Sequence, residues 1–83
     1  MGVYMVERYL PALGPEGVEA QARTDNELGR LSGLRHVRTT YSREDELCFS
    51  FFEAPSCDAV ITANEQASMT YERVTEVIDA TAS

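Results

Sequence analysis

Arg35-His36-Val37-Arg38-Thr39-Thr40-Tyr41, then Ser42-Arg43-Glu44-Asp45-Glu46, then Leu47-Cys48-Phe49-Ser50-Phe51-Phe52: the fold turns on how this stretch is read. Residues 35–41 alternate, with Val37, Thr39 and Tyr41 on one side and His36, Arg38 and Thr40 on the other. That period of two marks a half-buried strand. Residues 42–46 are polar and of hairpin length, and 47–52 form the most hydrophobic run in the chain. With 42–46 as the loop, Tyr41 pairs with Leu47, Thr39 with Phe49 and Val37 with Phe51, all six facing the core. His36 then lies across from Phe52, Arg38 from Ser50 and Thr40 from Cys48 on the other face. A slip of one residue would turn Phe49 and Phe51 outward, so hydrophobic patterning favours the first register.

Working outward, Val3 to Leu10 is rich in β-branched and aromatic residues and reads as a strand ended by Pro11, buried on both faces over part of its length. Gly14-Pro15 starts a helix, with Pro at the first position and Glu16 and Glu19 near the positive end of its dipole. The helix runs to about Leu31, and Gly33 suits a left-handed cap. Its apolar stripe of Val18, Ala22 and Leu28 is diluted by Gln21 and Asp25. Pro55-Ser56 breaks the third strand, Ser56 is an N-cap, and Ala59, Val60, Ala63 and Ala67 give a cleaner helical stripe. Arg73 to Ile78 is a last strand, and Asp79 to Ser83 is a small, polar tail expected to fray. Strand, helix, strand, strand, helix, strand with right-handed crossovers is an α+β ferredoxin-like split βαβ sandwich. Its four-stranded antiparallel sheet carries two helices on one face. The other face is open and mixed in character, which on a small domain suits a dimer surface.

The 83 residues form a single domain, 1–83. A chain this short buries only about 60–65% of its unfolded surface, so its own core is thin. Seven arginines, no lysine and fourteen acids give a net charge of −7. Such a surface repels phosphate backbones, which argues against nucleic acid as a partner, and attracts cations. The strand 47–52 has a faint likeness to the base-stacking strand of RNA-recognition modules, but it lacks the basic residue and the glycine. No run reaches the ~18 apolar residues of a membrane span, and Val3 to Val6 is too short for a signal core. A cytoplasmic location without membrane contact is expected, with Cys48 and Cys57 as reduced thiols.

His36 is the chain's one histidine. On an edge strand it is more often a plain surface residue than a ligand, yet an imidazole nitrogen is a good donor to a transition metal. In the register above it sits near Glu53, so the two can converge. Glu44, Asp45 and Glu46 are first a solvated turn and second a source of carboxylate ligands. The register holds Cys48 too far from His36 for a thiolate–imidazole pair. Glu7 and Arg8 are charges in a central strand and need partners.

Taken together the segments resemble a family. They are Tyr4-Met5-Val6-Glu7-Arg8-Tyr9-Leu10-Pro11, Val37-Arg38 with Tyr41, Glu44-Asp45-Glu46 leading to Cys48, Phe52-Glu53-Ala54-Pro55, and Tyr71-Glu72-Arg73-Val74-Thr75-Glu76-Val77. The chain is similar to small bacterial nickel-binding, nickel-responsive proteins with a ferredoxin-like fold. The resemblance implies a homodimer that carries nickel ions at its surface and acts in metal homeostasis by sequestering excess metal. The residues then expected to hold nickel are His36 and the carboxylates of Glu53, Glu44, Asp45 and Glu46. Two other readings stand beside this one. One is a small dimeric enzyme of the isomerase or monooxygenase type, for which a closed cavity lined by Tyr and His would speak. The other is an interaction module, for which a flat apolar open face would speak.

Overall fold

Both helices are bounded by residues suited to starting or ending a helix. Ser56 is extended, and its hydroxyl accepts from the Ala59 amide at 3.1 Å, starting α2 (Cys57–Gln66). Pro15 opens α1 (Pro15–Ser32), and Gly33, at φ 72°, closes it by donating its amide to the Gly29 carbonyl. The strands are β1 (Gly2–Tyr9), β2 (Arg35–Ser42), β3 (Leu47–Ala54) and β4 (Arg73–Val77). This computed structural model describes residues 1–78 and residue 80. The tail expected over 79–83 lies, apart from Ala80, outside the described residues.

The sheet has the order β2-β3-β1-β4 with antiparallel neighbours throughout. It is the α+β sandwich that the element order implies. The core joins Tyr4 and Val6 of β1, Phe52 and Ala54 of β3, Leu34, Leu28 of α1, and Val60 and Ala63 of α2. Both helices therefore cover one face. Gly29 lets α1 lie against the entry to β2, because a Cβ there would stand 2.8 Å from the Leu34 carbonyl oxygen. No helix among the described residues is long and apolar enough to cross a membrane.

The hairpin corrects the expected register. Ser42 pairs with Leu47, Tyr41 with Cys48, Thr40 with Phe49, Thr39 with Ser50 and Arg38 with Phe51. A bulge at Val37 then absorbs one residue, and His36 still meets Phe52. In β3 the buried residues are Cys48, Ser50, Phe52 and Ala54, so Phe49 and Phe51 lie on the open face. Two facts explain the inversion. Small Cys48, Ser50 and Ala54 sit beneath the helices, and Ser50 is required there as a partner of Asp25. The open face gains in exchange an apolar centre of Val3, Met5, Phe49, Phe51 and Val77. The first strand follows the same alternation, with Tyr4, Val6 and Arg8 buried and Val3, Met5 and Glu7 only half-buried. It is buried on one face, not two.

Candidate functional site

Asp25 stands in the middle of α1 and is fully buried against the sheet. A buried carboxylate needs donors at both oxygens. Oδ1 accepts from Gln21 Nε2 at 3.0 Å and lies 3.7 Å from Arg8 Nη2. Oδ2 accepts from the hydroxyls of Thr39 at 2.7 Å and Ser50 at 2.5 Å. Arg8, on the same face of β1, donates to the Thr70 carbonyl at 2.7 Å and to Asn64 Oδ1 at 2.6 Å. Asn64 in turn donates to the Val60 carbonyl. Burial pulls the Arg8 pKa down, and the Asp25 charge opposes that pull. Arg8 Nε is buried without a hydrogen-bond partner among the described residues. The buried Cys48 thiol is pushed up, first by desolvation and then by the Asp25 charge.

His36 closes this network at the edge of the sheet. The bulge turns it to the helix-covered side, where its ring lies 5.5 Å from that of Phe52, tilted by 50°. Its Nε2 is 2.8 Å from Thr39 Oγ1. Thr39 donates to Asp25, which leaves its hydroxyl oxygen free to accept from a protonated Nε2. No hydrogen bond is made at Nδ1 among the described residues.

The other candidate ligands do not gather around His36. Glu53 points to the open face, where Arg35 donates to both its oxygens at 2.9 and 2.7 Å. That fork holds the Glu53 carboxyl below the usual carboxylate range. The expected convergence of His36 with Glu53 is thus overturned, because the two alternate across the sheet. Glu46 stands at the far end of the hairpin. It accepts from the Ala12 amide at 2.7 Å and stands 3.5 Å from the Tyr9 hydroxyl. Asp45 accepts from Ser42 at 3.1 Å, and Glu44 is exposed in the turn. Among the described residues no three His, Cys, Asp or Glu side chains come together to hold a metal ion. A single chain therefore does not close a metal site around His36. Both cysteines are free.

The network of Asp25, Thr39, Ser50 and Asn64 was not visible as a unit in the sequence. Its one trace was the pair Gln21 and Asp25, four residues apart on the face of α1 that should be apolar. The charges in the central strand do find partners: Arg8 inside the network, and Glu7 in an ion pair with Arg73 across β4.

No curated protein matches the chain. Among solved structures, the crystal structure of SCO4226 from Streptomyces coelicolor A3(2) superposes with a TM-score of 0.78 at 14% identity, covering 95% of this chain and 99% of that one. At that identity the likeness speaks for the fold. The sequence model described as "Nickel responsive protein SCO4226-like" matches residues 4–77, from the first core strand to the end of the last. On that match, the chain belongs to the SCO4226-like family of nickel responsive proteins.

Proposed function

We propose that the protein binds nickel as a homodimer in the cytoplasm and serves to sequester or respond to excess metal. The observation that carries this reading is His36, in a chain of a nickel-responsive family, with Nε2 beside Thr39 and no hydrogen bond made at Nδ1 among the described residues. Nickel accepts mixed nitrogen and oxygen donors, and imidazole is among its favoured ligands. Water and donors of a second copy complete the coordination, since one chain brings no carboxylate to the ring. The open sheet face supports association, with Phe49 and Phe51 at its centre and the Arg35–Glu53 and Glu7–Arg73 pairs along its borders. Calorimetric titration of the metal-free protein with nickel, zinc, cobalt and copper tests the reading. Nickel binding should weaken at least tenfold in His36→Ala, whose fold should be retained. Unchanged affinity in that variant would remove His36 from the site.

A further inference from the structure

A groove of about 430 Å³ lies between α1 and the turn that follows α2. Leu28, Leu31, Ala67 and Met69 make most of its lining apolar, and Arg23 and Thr24 add a guanidinium and a hydroxyl. Along α1 the wall runs from Arg23 to Leu31, about 12 Å at 1.5 Å per residue. That is close to the reach of an extended decanoate chain. We propose that this groove is a binding site for a medium-chain fatty acid. Arg23 and Thr24 hold its carboxylate, and its methylene chain lies over Leu28, Met69 and Leu31. The site is separate from the one read for nickel, since no residue of the groove belongs to the network of His36 and Asp25.

Charge decides the head group. Arg23 is exposed and has no ion-pair or hydrogen-bond partner among the described residues. The other charge on the lining, Glu27, is taken up by Arg30, whose Nε donates to it at 3.0 Å. A chain of net charge −7 thus keeps an uncommitted cation beside this apolar surface, and a carboxylate matches the planar fork of a guanidinium. The remaining lining decides the body of the ligand. Leu31 is 70% exposed, Leu28 belongs to the core and Met69 packs against it, so a chain laid here gains contacts without displacing a core residue. A peptide would bring amides to a wall that offers no row of donors and acceptors to answer them, whereas methylenes need none. The seat is also formed before any ligand arrives. Ser68, at φ 57°, turns the chain out of α2, and the Met69 amide donates at 2.9 Å to the carbonyl of the buried Asn64. The volume falls in the range of small-molecule sites.

The probes are sodium octanoate, sodium decanoate and octanol, titrated into the full chain below micelle-forming concentrations and followed through assigned methyl resonances. The methyl groups of Met69, Leu28, Leu31 and Ala67 should shift together and saturate, with the millimolar to submillimolar affinity of ligands this small in an open groove. Decanoate should bind more tightly than octanoate, by up to about fourfold for each added methylene. Arg23→Gln exchanges one good helix former for another at an exposed position, so its fold should be kept. It should weaken octanoate about fivefold, the upper range for an exposed ion pair, and leave octanol unaffected. Arg23→Lys keeps the charge and should stay near the parent. Equal affinity for octanoate and decanoate removes the apolar seat, and octanoate binding unchanged in Arg23→Gln removes the carboxylate anchor. Either result overturns the proposal. So do shifts that grow linearly without saturating, or that fall on Val3 and Met5 of the open sheet face while Met69 stays still. If the groove methyls shift when the protein alone is concentrated, a second copy is the occupant and the fatty-acid reading fails. None of these readouts involves nickel, so this proposal and the metal reading fail independently.

Discussion

Arg8 and Asp25 illustrate how one buried charge obliges the next. With Asp25 gone, the Arg8 guanidinium, only 3% exposed, would keep two hydrogen bonds but lose its counter-charge. Breaking one half of such a pair costs about 3–5 kcal/mol. Asp25→Ala should therefore lose most of the stability of so small a domain in urea unfolding. The double variant Arg8→Met with Asp25→Leu should lose much less than the two single changes together. Cys48 makes a second case at this scale. It is fully buried, and its thiol is pushed up by desolvation, so little thiolate forms near neutral pH. An aromatic disulfide reagent should modify Cys57 alone in the folded chain and both thiols after denaturation. Glu53 behaves in the opposite sense. Its carboxyl is held low by the hydrogen bonds and charge of Arg35, so the pair contributes at neutral pH and its contribution is lost as pH falls through the depressed value. The loss should be smaller in high salt, because the pair is exposed. Acid unfolding of Arg35→Gln at two ionic strengths checks the sign.

The hairpin of β2 and β3 is the element where patterning succeeded in kind and failed in detail. Both strands and both helices could be read from alternation, capping and the positions of Pro15, Gly33, Pro55 and Ser56, because these residues act through local backbone physics. The register could not, for two reasons. A bulge at Val37 leaves no mark in a pattern of period two, since it shifts the phase without changing the residue types. In addition, the buried side of β3 is chosen by a polar demand, Asp25 requiring Ser50, and not by size. The same shift hid the site, because it moved His36 from the face of Glu53 to the face of Asp25. The turn itself is fixed by Glu46, whose φ of 56° puts it in the left-handed region. Its carbonyl accepts from Leu10 and its carboxylate from Ala12. A left-handed backbone costs a residue with a Cβ roughly 1–2 kcal/mol. Glu46→Gly relieves that cost while losing the carboxylate, and Glu46→Ala loses the carboxylate alone. Thermal unfolding should therefore rank the parent or the glycine variant above the alanine one, and alanine should be the least stable of the three.

At the scale of the whole molecule the open face sets the expectation. Val3 and Met5 of β1, Phe49 and Phe51 of β3, and Val77 of β4 make a continuous apolar centre, since paired registers align Met5 with Phe51 and Val3 with Val77. The Arg38 guanidinium lies 4.5 Å from the centroid of the Phe51 ring, and the two ion pairs lie to either side. A face with an apolar centre and charges of both signs at its border can pair with its own copy about a two-fold axis, each Arg meeting an acid of the other chain. The net charge of −7 opposes this association at long range, so added salt should strengthen it until the border pairs are themselves screened. A charge placed at the centre separates this expectation from a purely structural role for the aromatics. Phe51 is half-buried in the single chain and belongs to no helix-covered cluster. Phe51→Glu should leave the circular dichroism of the folded chain unchanged, yet convert a dimer to a monomer in sedimentation velocity. Phe52→Glu, inside the core, should unfold the chain instead, at a cost above the 3–5 kcal/mol typical of losing a core Phe side chain. If the parent sediments as a dimer and Phe51→Glu does the same, the copies meet elsewhere; if the parent is a monomer, the dimer expectation fails. The nickel titration then becomes decisive for geometry. Binding that depends on protein concentration would point to ligands shared between chains, and binding that does not would leave His36 and water to hold the ion alone.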